Sequence, residues 1–202
     1  MAEESGLILS ANLESFFRDE ITDARKQIDI NISEMTEYYL VNLLCDYSRP
    51  DTQALPGEEP LAMLYKKALE ASPLERIQIL KTLGDVALYA SGFFVEYIEQ
   101  SIVDKDYYHG MGGSAYHSLA DIMTVKHQCD GVAEIYSQLA EQFSHVAYLL
   151  NEISDRSRSH QNSETDLIRL YERWQTTGDE KLKQQLLDHG FYLGRHVGDS
   201  VH

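Results

Sequence analysis

Apolar residues recur at three- and four-residue steps along almost the whole chain, and no convincing stretch alternates with period two. That spacing predicts amphipathic helices throughout. Leu9, Leu13, Phe16, Phe17, Ile21, Ala24 and Ile28 define a first helix from about Ser10 to Asp29. Ser33 caps a second, with Tyr39, Leu40, Leu43, Leu44 and Tyr47 on its core face. The segment SRPDTQALPGEEP, with prolines at 50, 56 and 60, interrupts the pattern as a surface loop. Pro60 then fits the first turn of a third helix that runs to about Ala71.

Ser72-Pro73-Leu74-Glu75 reads as a capping box with proline at the first helical position. It opens a fourth helix predicted to reach about Ser101. Asp104 or Asp106 caps a fifth, ending near Thr124. From Asp130 a sixth carries one apolar seam: Val132, Ile135, Tyr136, Leu139, Phe143, Val146, Leu150 and Ile153. After the polar run SDRSRSHQNSETD, Ser163 caps a seventh helix whose buried face is Leu167, Leu170, Tyr171 and Trp174. Gly178 stops it, Asp179 caps an eighth, and Gly190 ends that one.

The predicted fold is therefore all-α, a single-domain bundle of about eight helices. Residues 1–160 form the bundle core, 161–190 a C-terminal αα-hairpin packed on it, and 191–202 a tail without helical pattern. The hairpin faintly resembles one tetratricopeptide-type unit. Repeat arrays need about three copies to be stable, so it reads as an ordinary αα-hairpin.

On a helical wheel the fourth helix is apolar well beyond half its circumference. Gln78, Lys81, Asp85, Gly92, Glu96, Glu99 and Gln100 remain as a polar strip. Such a helix packs on several neighbours and is expected at the bundle centre. Asp85, one turn from Lys81, is expected as a solvated ion pair. The fifth helix has a core face of Tyr108, Met111, Ala115, Leu119 and Ile122. Its other side carries Asp106, His109, Gly110, Gly113, Ser114, His117 and Asp121. An exposed helical glycine is less stable than alanine by about 1 kcal/mol. Gly110, Gly113 and Ser114 thus mark close packing, an interface, a ligand site or a local helix break.

A formal charge of −16, from 33 acidic and 17 basic residues, repels phosphate backbones and anionic membrane surfaces. Direct nucleic-acid binding and membrane association are not expected. The charge serves solubility, or an acidic docking face for a basic partner. The first residues, MAEESGLILSA, lack the positive charge and apolar length of a signal peptide. Cys45 and Cys129 lie far apart with no CxxC, which suits thiols in a reducing cytoplasm.

Di-iron carboxylate bundles place Glu-x-x-His on facing helices, and that spacing is absent. The nearest approaches are Asp106-Tyr-Tyr-His109, His117 with Asp121, and Glu141 with His145. His117 and Asp121 can chelate together only with ligands from elsewhere, so no metal site is assigned and His117, Asp121, Asp106 and His109 are weak candidates alone. Glu34 and Glu37 open the second helix, where its dipole stabilises carboxylates. G-x-S-x-G, GxxxxGK[ST] and H-E-x-x-H are absent, and no strand precedes GMGG. No catalytic residue and no cofactor is assigned, and the balance leans away from an enzyme.

The runs GDVALYASGFF at 84–94, VDKDYYHGMGGSAY at 103–116 and LIRLYERW at 167–174 together resemble a family of uncharacterised bacterial proteins. The resemblance spans less than a third of the chain. It implies a bacterial origin and an all-helical fold, and transfers no activity. The expected function is a non-catalytic, acidic, cytoplasmic interaction or regulatory protein with a protein partner or as a homodimer. The alternative is a helical-bundle binder of a metal or small ligand, conceivably oxidase-like.

Overall fold

The computed structural model describes residues 2–48, 59–100, 103–125, 130–158 and 181, with backbone alone for 2–12, 97, 125 and 130. The helices are α1 (Ala2–Ile28), α2 (Glu34–Tyr47), α3 (Leu61–Glu70), α4 (Pro73–Phe93), α5 (Val95–Glu99), α6 (Lys105–Val125) and α7 (Asp130–Glu141). Residues 143–158 are also helical, here α8. No strand occurs among the described residues, and the protein is all-α. None of these helices is long and apolar enough to cross a membrane. The chain divides into two compact units, Met1–Ser154 and Asp155–His202. Of the second, 155–158 and Lys181 are described, all helical. The rest of the predicted 161–190 hairpin, the tail and Cys129 lie outside the described residues.

Local chemistry sets the helix ends. Asp29, at φ 52°, takes the left-handed conformation just past α1, and the Ile30 N–H reaches back to the Arg25 carbonyl at 3.3 Å. That is a Schellman-type stop, unusual in using aspartate where glycine is favoured. The Ser33 hydroxyl caps α2 by accepting the Thr36 N–H at 3.2 Å. At α4 the Glu75 carboxylate accepts from the Ser72 backbone N–H at 3.2 Å and from its hydroxyl at 2.7 Å, with Pro73 in the first turn. Asp104 caps α6 by accepting the Tyr107 N–H at 3.0 Å.

Three boundaries differ from the periodic reading. Helix α1 begins at Ala2, before its apolar stripe. The expected fourth helix is interrupted at Phe94 (φ −122°, ψ 34°), which separates α4 from α5. The expected sixth helix is interrupted by a single turn residue, Gln142, between α7 and α8. The seam runs past that point because the Gln142 N–H still reaches the Gln138 carbonyl, and the Val146 N–H the Gln142 carbonyl, both at 2.9 Å.

Helix α4 packs against α2, α3, α5 and α6. Leu80, Leu83, Val86, Ala87, Leu88 and Ala90 are all buried, as a central helix requires. Its glycines allow the close approaches. A Cβ on Gly84 would lie 2.6 Å from the Tyr116 ring, and one on Gly92 would overlap Leu150. From α6, a Cβ on Gly112 would overlap Phe143 and lie 2.8 Å from Ala87. Polar ties fix the outer pairs. Glu37 accepts from Arg25 at 2.6 Å and Thr22 at 2.9 Å, joining α1 to α2. Gln138 on α7 accepts from the Ser33 N–H at 3.0 Å and the Thr36 hydroxyl at 2.7 Å.

Candidate functional site

The outward face of α6 lies where its sequence pattern puts it. His117 and Asp121 approach to 3.8 Å with side chains 72% and 71% exposed. Asp106, Gly110 and Ser114 are exposed, and Gly113 is half-buried. No group of three His, Cys, Asp or Glu side chains that could hold a metal occurs among the described residues. His117 and Asp121 therefore meet no third donor there. Among the described residues a Cβ on Gly110 would meet nothing within 4 Å. One on Gly113 would make ordinary contacts, 3.7 Å to the Ala140 carbonyl and 3.9 Å to Phe143. Within the chain, the glycine on α6 that close packing demands is Gly112.

His109 behaves differently from the rest of that face. Its Nδ1 shares a 2.9 Å hydrogen bond with the Ser144 hydroxyl of α8, and its ring packs edge-on to Phe143 at 5.5 Å. Its Nε2 is closed to solvent and has no hydrogen-bond partner among the described residues. Burial, then the nearby Lys105 charge, holds its pKa below the ordinary histidine value, against the pull of Asp106. His109 is thus a neutral, half-buried packing residue.

The most concentrated polar chemistry lies elsewhere, and corrects the reading of Asp85. Asp85 is not solvated: it is 6% exposed in the middle of α4. Its Oδ1 accepts hydrogen bonds from the Tyr39 hydroxyl of α2 and, at 2.8 Å, from the Tyr116 hydroxyl of α6. Its Oδ2 accepts from Lys81 Nζ at 2.6 Å. Tyr136 of α7 stacks on Tyr116 at 5.9 Å and meets Tyr39 edge-on at 5.7 Å. Lys81 Nζ stands 5.3 Å from the Tyr39 ring centre, a cation–π arrangement. Three helices thus meet at one carboxylate, α7 packs on its phenols through Tyr136, and Gly84 supplies the space for Tyr116.

Burial pushes the Asp85 carboxyl up, while the Lys81 charge and the two phenols pull it back. Burial also raises both Tyr39 and Tyr116, and the Asp85 charge raises them further. The phenols consequently remain donors. For Lys81, burial works downward, but the Asp85 charge and hydrogen bond carry it above the usual lysine value. A carboxylate receiving three donors is satisfied, and this centre works as an internal clamp. An aspartate inside the apolar run Leu83–Leu88 was its available sequence signal.

Two other features complete the bundle. A row of aromatic rings lines the ends of α2 and α4: Tyr89 stacks on Tyr47 at 4.4 Å and on Phe93 at 4.8 Å, with Phe94 edge-on at 5.8 Å. A small pocket of about 200 Å³ lies between Pro60, Leu61, Val86, Tyr107 and Tyr108. That is below the roughly 300 Å³ at which small-molecule pockets usually begin. No protein-family model, curated protein or solved structure matches the chain.

Proposed function

We propose that the protein is a non-catalytic, acidic helical interaction protein that docks with other polypeptides, first of all with a second copy of itself. The supporting observation is the bare backbone on the outward face of α6. Glycine within a helix is less stable than alanine by about 1 kcal/mol. At Gly84, Gly92 and Gly112 close neighbours offset that cost, whereas Gly110, like Gly131 in the first turn of α7, faces open space among the described residues. Among the described residues nothing stands over Gly110, so a helix from a second copy can approach the α6 backbone there, beside the exposed Ser114. The bacterial origin and cytoplasmic setting expected from the sequence belong to the same proposal.

Light scattering of the full chain tests it. The wild type is expected at dimer mass at micromolar concentration, and Gly110→Leu at monomer mass with unchanged helical circular dichroism. A wild type that stays monomeric at every concentration overturns self-association.

A further inference from the structure

We propose that His109 is a proton-operated latch between α6 and α8: neutral, it holds the two helices together, and protonated, it lets them part. The inference goes beyond the interaction reading above and touches it only because Gly110 is the next residue on α6. The two ring nitrogens have unequal surroundings. Nδ1 shares a 2.9 Å hydrogen bond with the Ser144 hydroxyl, at the start of α8. Nε2 is closed to solvent and has no hydrogen-bond partner among the described residues. A neutral imidazole fits this arrangement, since with its one N–H at Nδ1 it leaves Nε2 as a bare lone pair. An imidazolium does not fit, because it carries a second N–H at Nε2 and strands a charged donor there.

The ring sits beside the contact through which α8 grips α6. It lies edge-on to Phe143 at 5.5 Å, and Phe143 presses on Gly112 and lies 6.1 Å from the Tyr116 ring. No anion from a neighbouring helix offsets the cost of a charge here. The charges acting on His109 are Lys105, which opposes protonation, and Asp106, which favours it less strongly. Both belong to α6 and are exposed. From α8 it meets the Ser144 hydroxyl and the Phe143 ring, while Glu141 of α7 and His145 of α8 face solvent. No charge of α3, α4, α5, α7 or α8 is among those that act on it. An imidazolium reaches water by swinging outward, which breaks the Ser144 bond and uncovers Phe143. Burial, the largest influence, holds the His109 pKa below the ordinary histidine value. The latch is therefore closed at neutral pH, and its contribution is lost as pH falls through that depressed value.

The test uses the full chain, dilute enough to be monomeric at pH 7 and pH 5, and reads amide hydrogen exchange along α6 and α8. Each rate is compared with that of an unstructured chain at the same pH. In the wild type, protection around His109 and Ser144 is expected to fall several-fold from pH 7 to pH 5. His109→Asn keeps a hydrogen-bonding group near the Nδ1 position without a titrating ring, so its protection should change little. Ser144→Ala removes the partner of Nδ1 from an exposed position. It should lower protection at pH 7 and leave a smaller further loss at pH 5. Asp85 and the other histidines are common to all three proteins and cancel in the comparison. The latch is overturned if the wild type loses no protection, or if His109→Asn loses as much as the wild type. It is overturned as well if Ser144→Ala matches the wild type at both pH values, a result that decides alone should His109→Asn lose its helical signal. Mass at higher concentration is read separately, so a chain that never dimerises fails the α6 reading while the exchange result still decides the latch.

Discussion

Lys81–Asp85 and His117–Asp121 have the same spacing on neighbouring helices, yet the two pairs end in opposite environments. The first closes to 2.6 Å around an aspartate whose side chain is 9% exposed. The second stays 3.8 Å apart in open solvent. Spacing determines only that two side chains share a helix face. What lies over that face decides whether the pair is a surface contact of small value or a centre on which helices converge. Over Asp85 lie Tyr39 and Tyr116, which bring their own donors. Over Asp121 the described chain places nothing comparable.

The sharpest way to break this contrast is to remove the buried carboxylate. Asp85→Ala strands two phenols in the core and is expected to lower stability by about 3 kcal/mol, seen as a reduced urea midpoint. Asp121→Ala, measured alongside, should change it by less than about 0.5 kcal/mol. Near-equal losses would show that the buried network carries no special weight.

Next in size are the glycines. Gly84→Ala drives a methyl into the Tyr116 ring and should lose about 2 kcal/mol. Gly110→Ala adds its methyl to open space on a helix and should raise the stability of the monomer by about 1 kcal/mol. Thermal melts at a concentration below self-association separate the two signs.

Acidity sharpens the comparison further. The folded-state carboxyl of Asp85 is raised, so its stabilising contribution is fully present below the unfolded pKa and is lost as pH rises through the folded one. The stability of wild type relative to Asp85→Asn should therefore grow as pH falls from neutrality toward 4. His109 acts in the opposite sense, losing its contribution as pH falls through its depressed pKa. Both proteins carry His109, so its effect cancels in the difference. A difference in urea midpoint that stays flat between pH 7 and 4 would remove Asp85 as the titrating group.

The smallest expected effect is at the end of α1. Asp29→Gly should stabilise by about 0.5–1 kcal/mol, since glycine adopts the left-handed conformation without a Cβ penalty. Its melt is the check.

Much of the fold was legible because local rules and burial agree. Ser33, Ser72 with Glu75, and Asp104 cap helices where their side chains suggest, and the seam from Ile135 to Ile153 is buried as its period requires. The polar strip assigned to α4 was misread for a physical reason. Apolar residues around most of a helix imply neighbours on most sides, and at two positions of α4 those neighbours cover the strip as well. Asp85 and Gly92 are buried, whereas Gln78 and Lys81 of α4 and Glu96 of α5 are exposed. Tyr116 was missed alongside them, because its polar tip gives it no clear side on a wheel. Only the space above Gly84 reveals where the ring goes. On α6 the pattern separated outward from inward correctly for His117 and Asp121, but could not show that Gly112 is the glycine pressed by Phe143.

The buried phenols also give the molecule an optical signature. Tyr39 and Tyr116 are held protonated by burial and by a neighbouring negative charge. An alkaline titration followed by phenolate absorbance reads them directly. Tyr39 and Tyr116 should release their protons only as the bundle opens. The final absorbance step then coincides with the loss of helical signal, so the clamp around Asp85 reports its own integrity without any attached label.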